Sequence, residues 1–144
     1  MEDLRKALKI AFASEFAFYL KAHYFHWNVE GSDFKQYHDL FGDIYDEVYG
    51  SIDDFAENIR KAGGYTPGSF ERFSMLTKID DETDVLPAIE MVGQLLADSD
   101  KMADLFGLVF KIAEKYNEQG LCDFLAGRQD AHRKHSWMLR ATLK

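Results

Sequence analysis

The chain is short of the residues that mark several large protein classes. It has one cysteine, Cys122, in 144 residues, so no internal disulfide can form and a small disulfide scaffold is excluded. A lone thiol fits a reducing compartment, and the sequence reads as that of a cytoplasmic protein. Proline occurs only twice, at Pro67 and Pro87, which leaves long stretches free to be helical. No apolar run approaches the length of a membrane span. No secretory leader is expected: Glu2 and Asp3 stand where a basic start would be, and Glu15 and Lys21 interrupt the apolar stretch. Gly-rich phosphate loops, Cys-x-x-Cys pairs and hydrolase elbows are absent. So is Glu-x-x-His, the motif that di-iron sites inside four-helix bundles draw from two of their helices. Positive charge is also scarce. Lys and Arg number 17 against 25 acids, for a net charge of −8, which attracts cations and disfavours phosphate backbones.

What is present is helical periodicity and aromatic bulk. Twelve Phe and seven Tyr suit large packed surfaces between helices or subunits. Leu4, Leu8, Ala11, Phe12, Phe16, Tyr19 and Leu20 recur at helical spacing, and predict a first helix over Glu2–Asn28. A second is predicted from Asp33 to Ala62, stopped by Gly63-Gly64. It carries a core stripe of Phe34, Tyr37, Phe41, Ile44, Val48, Ile52, Phe55 and Ile59. A second stripe follows His38, Gly42, Tyr45, Tyr49, Asp53 and Glu57. Two stripes call for two burial partners. The connector from Gly63 to Thr83 holds Phe70, Phe73, Met75 and Leu76, too apolar for a free linker, and predicts a short packed helix. Its acids Asp80, Asp81, Glu82 and Asp84 lack calcium-loop spacing and suit a solvated loop and helix start. A third helix is predicted from Thr83 or Asp84, with Pro87 in its first turn, to Glu118-Gln119-Gly120. A fourth follows over Leu121–Thr142. One domain of four long helices, with one longer crossover between the second and third, is an all-α four-helix bundle.

The stretch with chemistry runs from His26 to Glu57. His26 and His38 flank a helix-ending turn; Asp53 and Glu57 lie one helical turn apart further along. His38 and Asp53 are separated by roughly 22 Å along a helix axis, so one chain cannot bring both to one ion. Two copies packed antiparallel about a two-fold axis can, since each then presents its His38 to the other's Asp53. Imidazole with carboxylate suits iron or zinc better than calcium. Histidines near helix ends and acids on helix faces also occur without any metal.

The pattern His26-Trp27-Asn28-x-x-Gly31-x-x-Phe34, then His38, then Asp53-x-x-Ala56-Glu57 resembles the Dps-like miniferritins of the ferritin-like superfamily. The likeness extends weakly along the chain to Trp137-Met138-Leu139-Arg140-Ala141. It implies a ferritin-like bundle whose small extra helix lies near a two-fold interface. It also implies an iron-oxidising centre between two subunits, with His26, His38, Asp53 and Glu57 as ligands and hydrogen peroxide or dioxygen as oxidant. Ferric mineral would then be stored inside a hollow homo-dodecamer, protecting against oxidative damage. One departure stands out. The family usually has an aspartate four residues after the second histidine, where this chain has Gly42; Asp43 points about 100° away. Gly42 would face Tyr49 of the two-fold mate, where a missing side chain makes room for a ring. The family's acidic three-fold pore maps to Asp123, with Gly127 where another acid is often found and Asp130 as a further candidate.

Other readings are more modest. His23 reads as a partly exposed helix histidine. Trp27 either packs a helix end or intercepts stray oxidising equivalents from the neighbouring site. His132 and His135, spaced i,i+3, could chelate an ion, but read as structural or exposed. Cys122 reads as a small core residue. DNA binding is disfavoured by net charge and by the lack of a basic N-terminal tail. Arg5, Lys6, Lys9, Arg128, Arg133, Lys134, Arg140 and Lys144 could nonetheless form basic patches in a shell. The remaining alternative is a shell-forming structural homologue whose oxidation centre has weakened or gone, with Gly42 as its mark.

Overall fold

The computed structural model describes residues 1–144. Six helices follow in order: α1 (Glu2–Asn28), α2 (Phe34–Gly50), α3 (Ile52–Lys61), α4 (Phe70–Leu76), α5 (Ala88–Lys115) and α6 (Gln119–Thr142). There are no strands. Helices α2 and α3 together are the second arm of the bundle, so the four long arms and one short crossover helix match the sequence pattern. α1 packs on α2 and α5, α5 on α6, and the crossover helix α4 lies against α1. No helix is long and apolar enough to cross a membrane.

Aromatic rings fill the centre. Phe18, Phe25, Phe41, Phe55 and Phe106 are fully buried. Phe55 meets Phe12 edge-on at 5.4 Å and Phe124 at 5.4 Å, tying α3 to α1 and α6. Burying one such side chain is worth about 1.5–3 kcal/mol. The connector is held down rather than loose. Phe73 stacks on Phe16 at 4.7 Å, and the Ser14 hydroxyl accepts the Lys78 N–H at 2.9 Å. Phe70 and Met75 stay exposed.

The helix bounds differ from the sequence pattern at three places, each for a local reason. The second arm breaks at Ser51 instead of running unbroken to Ala62. The Ser51 hydroxyl donates to the Val48 carbonyl at 2.6 Å, and such back-bonding beside a glycine interrupts a helix. α5 begins at Ala88, not at Thr83 or Asp84; Pro87 is its cap, with φ −54 and ψ 146. Proline also pushes the residue before it out of helical geometry. At its far end α5 stops at Lys115, and Asn117 turns the chain with φ 56. Asparagine tolerates that left-handed conformation, so α6 starts at Gln119 rather than Leu121.

Candidate metal centre

His26 sits in the last turn of α1 and His38 in the second turn of α2. The turn between the helices brings the two rings together, stacked with centroids 3.7 Å apart and planes 18° off parallel. Each ring binds the other residue's backbone. His26 Nδ1 lies 2.7 Å from the His38 carbonyl, and His38 Nδ1 lies 2.7 Å from the His26 carbonyl. A carbonyl can only accept, so each Nδ1 carries the hydrogen and donates it. In the neutral ring the lone pair then belongs to Nε2, the metal-binding nitrogen. A donated Nδ1–H also fixes ring orientation and strengthens Nε2 as a donor. The contact serves the fold too, because the His26 carbonyl is among the last four of α1, which lack partners within the helix.

Gly42 forms the floor under this pair. A Cβ placed there would lie 3.1 Å from His26 Cε1 and Nδ1. Within the chain, the ring packed against the bare backbone at position 42 is therefore His26. Asp43 is exposed.

The acids lie elsewhere. Asp53, Asp54 and Glu57 are on α3, all exposed, and can bring their ligand atoms within 4.8 Å of one another. Asp54 joins the two acids that the sequence singled out. The chain thus gathers its imidazoles at one end of the second arm and its carboxylates beyond the Ser51 break.

Aromatic side chains pack beside the histidines. His23 is the partly exposed helix histidine expected; it stacks face to face on Tyr45 at 3.7 Å and hydrogen-bonds Tyr19 Oη at 3.0 Å. Trp27 lies 4.0 Å from the His23 ring and is otherwise exposed. Burial and the nearby His26 hold the His23 imidazole below its ordinary pKa. Tyr19 also contacts Tyr49 at 4.8 Å.

The bundle interior holds a second cluster that the sequence left unassembled. Glu15, fully buried, contacts His132 Nε2 at 2.6 Å and accepts from Arg128 Nε and Nη2 at 3.1 and 3.0 Å. Glu47 of α2 accepts from Arg128 Nη1 and Nη2 at 2.6 and 3.1 Å, and contacts His135 Nε2 at 2.8 Å. The Ser99 hydroxyl bridges to His132 from α5, 3.2 Å from Nδ1 and 2.9 Å from the carbonyl. Burial pushes both carboxyls up, but their partners outweigh it. His132 and Arg128 hold Glu15 below its ordinary pKa, and His135 and Arg128 bring Glu47 to about 2. His132 and His135 are thus buried structural residues. The missed signal was Glu15 itself, one turn on from Ala11 and Phe12 in an otherwise apolar stripe. An acid there demands a buried partner.

The same contacts shrink the basic surface considered for DNA. Arg128 is buried and paired; Arg133 pairs with Asp104 at 3.3 Å and Arg140 with Asp100 at 3.1 Å.

A ferritin-like domain model matches residues 5–144. A low temperature-induced protein of Nostoc sp. is 32% identical over 92% of this chain and 75% of its own. A DNA protection during starvation protein of Brevibacillus brevis is 30% identical over 88% of this chain and 85% of its own. Among solved structures, a Dps protein from Bacillus brevis superposes with a TM-score of 0.95 at 28% identity, covering 99% of this chain and 96% of that one.

Proposed function

This chain belongs to the ferritin-like family and, within it, to the Dps proteins, and from that premise we propose that it oxidises Fe(II) at a site shared between two subunits and stores ferric iron in a hollow shell. The observation that carries this reading is the mutual clasp of His26 and His38, which leaves both Nε2 lone pairs for a metal. Asp53 and Glu57 of a two-fold mate supply the carboxylates. Iron is substrate and cargo here. Hydrogen peroxide accepts one electron from each of two Fe(II) ions, takes up two protons and leaves as two waters; dioxygen is the other oxidant. Trp27, exposed beside His23, is placed to give up an electron to a stray oxidant before other groups are damaged.

The shell is proposed to be a dodecamer of two-fold pairs in the cytoplasm. A groove of about 370 Å³ between α1 and α4, with Phe16, Leu20, Phe70 and Phe73 on its walls and Asp80 and Asp81 at its edge, suits a mate's side chain that is apolar with a polar end. Asp123 and Asp130, both exposed on α6, are proposed to draw cations into its three-fold pores. The pairing of Arg128, Arg133 and Arg140 leaves DNA binding a minor reading. Gly42 removes one usual ligand, so oxidation is proposed to be slower than a full ligand set would give.

The test is anaerobic Fe(II) loading followed by a peroxide pulse, with ferric absorbance followed in wild type and His26→Ala. Fast oxidation that the substitution abolishes supports the reading. Equal traces overturn it and favour a shell whose oxidation centre has gone. Sharing is tested by mixing. Chains with His26→Ala and His38→Ala, refolded with chains carrying Asp53→Asn and Glu57→Gln, should regain about a quarter of wild-type activity, since only half the mixed dimers' sites are whole. No recovery would overturn a site shared between these histidines and these acids.

A further inference from the structure

The interior cluster is not used by the proposed iron chemistry, and it has the donor set of a metal site. Two carboxylates, the buried Glu15 and the part-exposed Glu47, and two buried imidazoles, His132 and His135, meet between α1, α2 and α6. Four-helix bundles build metal centres in this way, from side chains on facing helices. What fills the middle is Arg128. Its guanidinium touches both carboxylates, and each carboxylate takes the Nε2 of one histidine.

We infer that Arg128 is the protein's own cation in a two-histidine, two-glutamate metal cage, and that it shuts the bundle interior against divalent ions. The guanidinium balances one of the two carboxylates, whereas a divalent ion would balance both. With Arg128 in place the four donors are not within one another's coordination reach. His135 Nδ1 has no hydrogen-bond partner although the residue is 4% exposed, so this buried ring, packed edge-on against His132 at 5.5 Å, keeps one nitrogen unengaged. Glu47, with its side chain 40% exposed, opens a path for an ion from solvent. Imidazole with carboxylate accepts borderline divalent ions such as Co(II) and Zn(II). The consequence for the native protein is directional: metal is turned away from the subunit interior and left to the histidines at its surface.

The experiment uses the full chain with His38→Ala as background, to silence the surface pair. Co(II) is titrated by equilibrium dialysis, with its visible absorption recorded. The background protein should bind no interior cobalt, while adding Arg128→Ala should gain about one Co(II) per chain in a nitrogen–oxygen field. Cobalt should also raise the Tm of the Arg128→Ala protein by several degrees more than that of the background protein, as an added ligand of the folded state does. Adding His132→Ala should remove the gain. A folded Arg128→Ala protein with no extra cobalt, or one whose extra cobalt survives His132→Ala, overturns the inference. If Arg128→Ala does not fold alone, recovery on refolding with Co(II) supports it. Failure to recover with Co(II), while Arg128→Lys folds, overturns it.

Discussion

The chain carries two pairs of neighbouring histidines, and the fold takes opposite nitrogens from them. In His26 and His38 it takes Nδ1, using two backbone carbonyls at a helix junction, and leaves Nε2 open. In His132 and His135 it takes Nε2, using Glu15 and Glu47, and backs those acids with Arg128. The first pair is half-buried and the second buried. The same side chain thus keeps its outer nitrogen open in one place and forms a lock in the other. Which role it gets depends on whether the neighbour is a carbonyl, which only orients it, or a charged carboxylate, which engages it.

The largest effect should come from breaking the lock. Glu15→Ala takes the carboxylate from His132 and leaves Arg128 with Glu47 alone, and breaking a buried pair by removing one partner costs about 3–5 kcal/mol. Guanidinium unfolding curves should show that loss, whereas His38→Ala gives up one neutral hydrogen bond at a half-buried site, about 0.5–1.5 kcal/mol. Comparable losses for the two would erase the distinction between lock and ligand.

Acid should probe the same contrast. The Glu47 carboxyl titrates near 2 in the folded chain against an ordinary 4.5. A depressed acid contributes stability that is present above its unfolded pKa and is lost as pH falls through its folded one. The fold should therefore weaken between about pH 4.5 and about pH 2, and Glu15, also depressed, adds to the loss in the same sense. Because Glu47 is partly exposed, solvent screening keeps its share below that of Glu15→Ala. Arg128→Met should flatten the dependence over this window. An unchanged slope would mean that the acids are not held by the guanidinium.

These contrasts were unevenly legible in the sequence. The four arms follow from stripes such as Leu4–Leu8–Ala11 and Phe41–Ile44–Val48, because burial imposes the helical period directly. The turn-flanking histidines and the later acids could be read as a set because their spacing matches a long motif. The clasp could not, since which ring nitrogen is engaged depends on two carbonyls brought together only by folding. The Ser51 break was hidden by a hydrophobic stripe that runs straight through it; it is a one-residue interruption at which the serine keeps helical geometry and its hydroxyl bonds the Val48 carbonyl. The interior cluster was hidden for a different reason. A search for Glu-x-x-His looks within one helix, but here the acids come from α1 and α2 and the histidines from α6.

The smallest effect, and the finest test of the open pair, is Gly42→Ala. An added methyl favours the helix by about 0.8–1 kcal/mol. It also meets the His26 ring at 3.1 Å, so the ring has to give by a few tenths of an ångström. Stability should therefore change by less than about 1 kcal/mol in either direction. The ring's aim is less forgiving. Losing an outer partner of a metal-binding histidine typically costs 10–100-fold in affinity, and a displaced ring that keeps its carbonyl should cost less than about tenfold. An anaerobic Co(II) titration beside an unfolding curve separates the two readouts. Weaker binding at near-constant stability would show that the bare backbone at position 42 is there to seat His26. Unchanged binding would mean that the carbonyl contact alone sets the ring, and that the glycine answers to something outside the chain, as its placement opposite Tyr49 of a two-fold mate would have it.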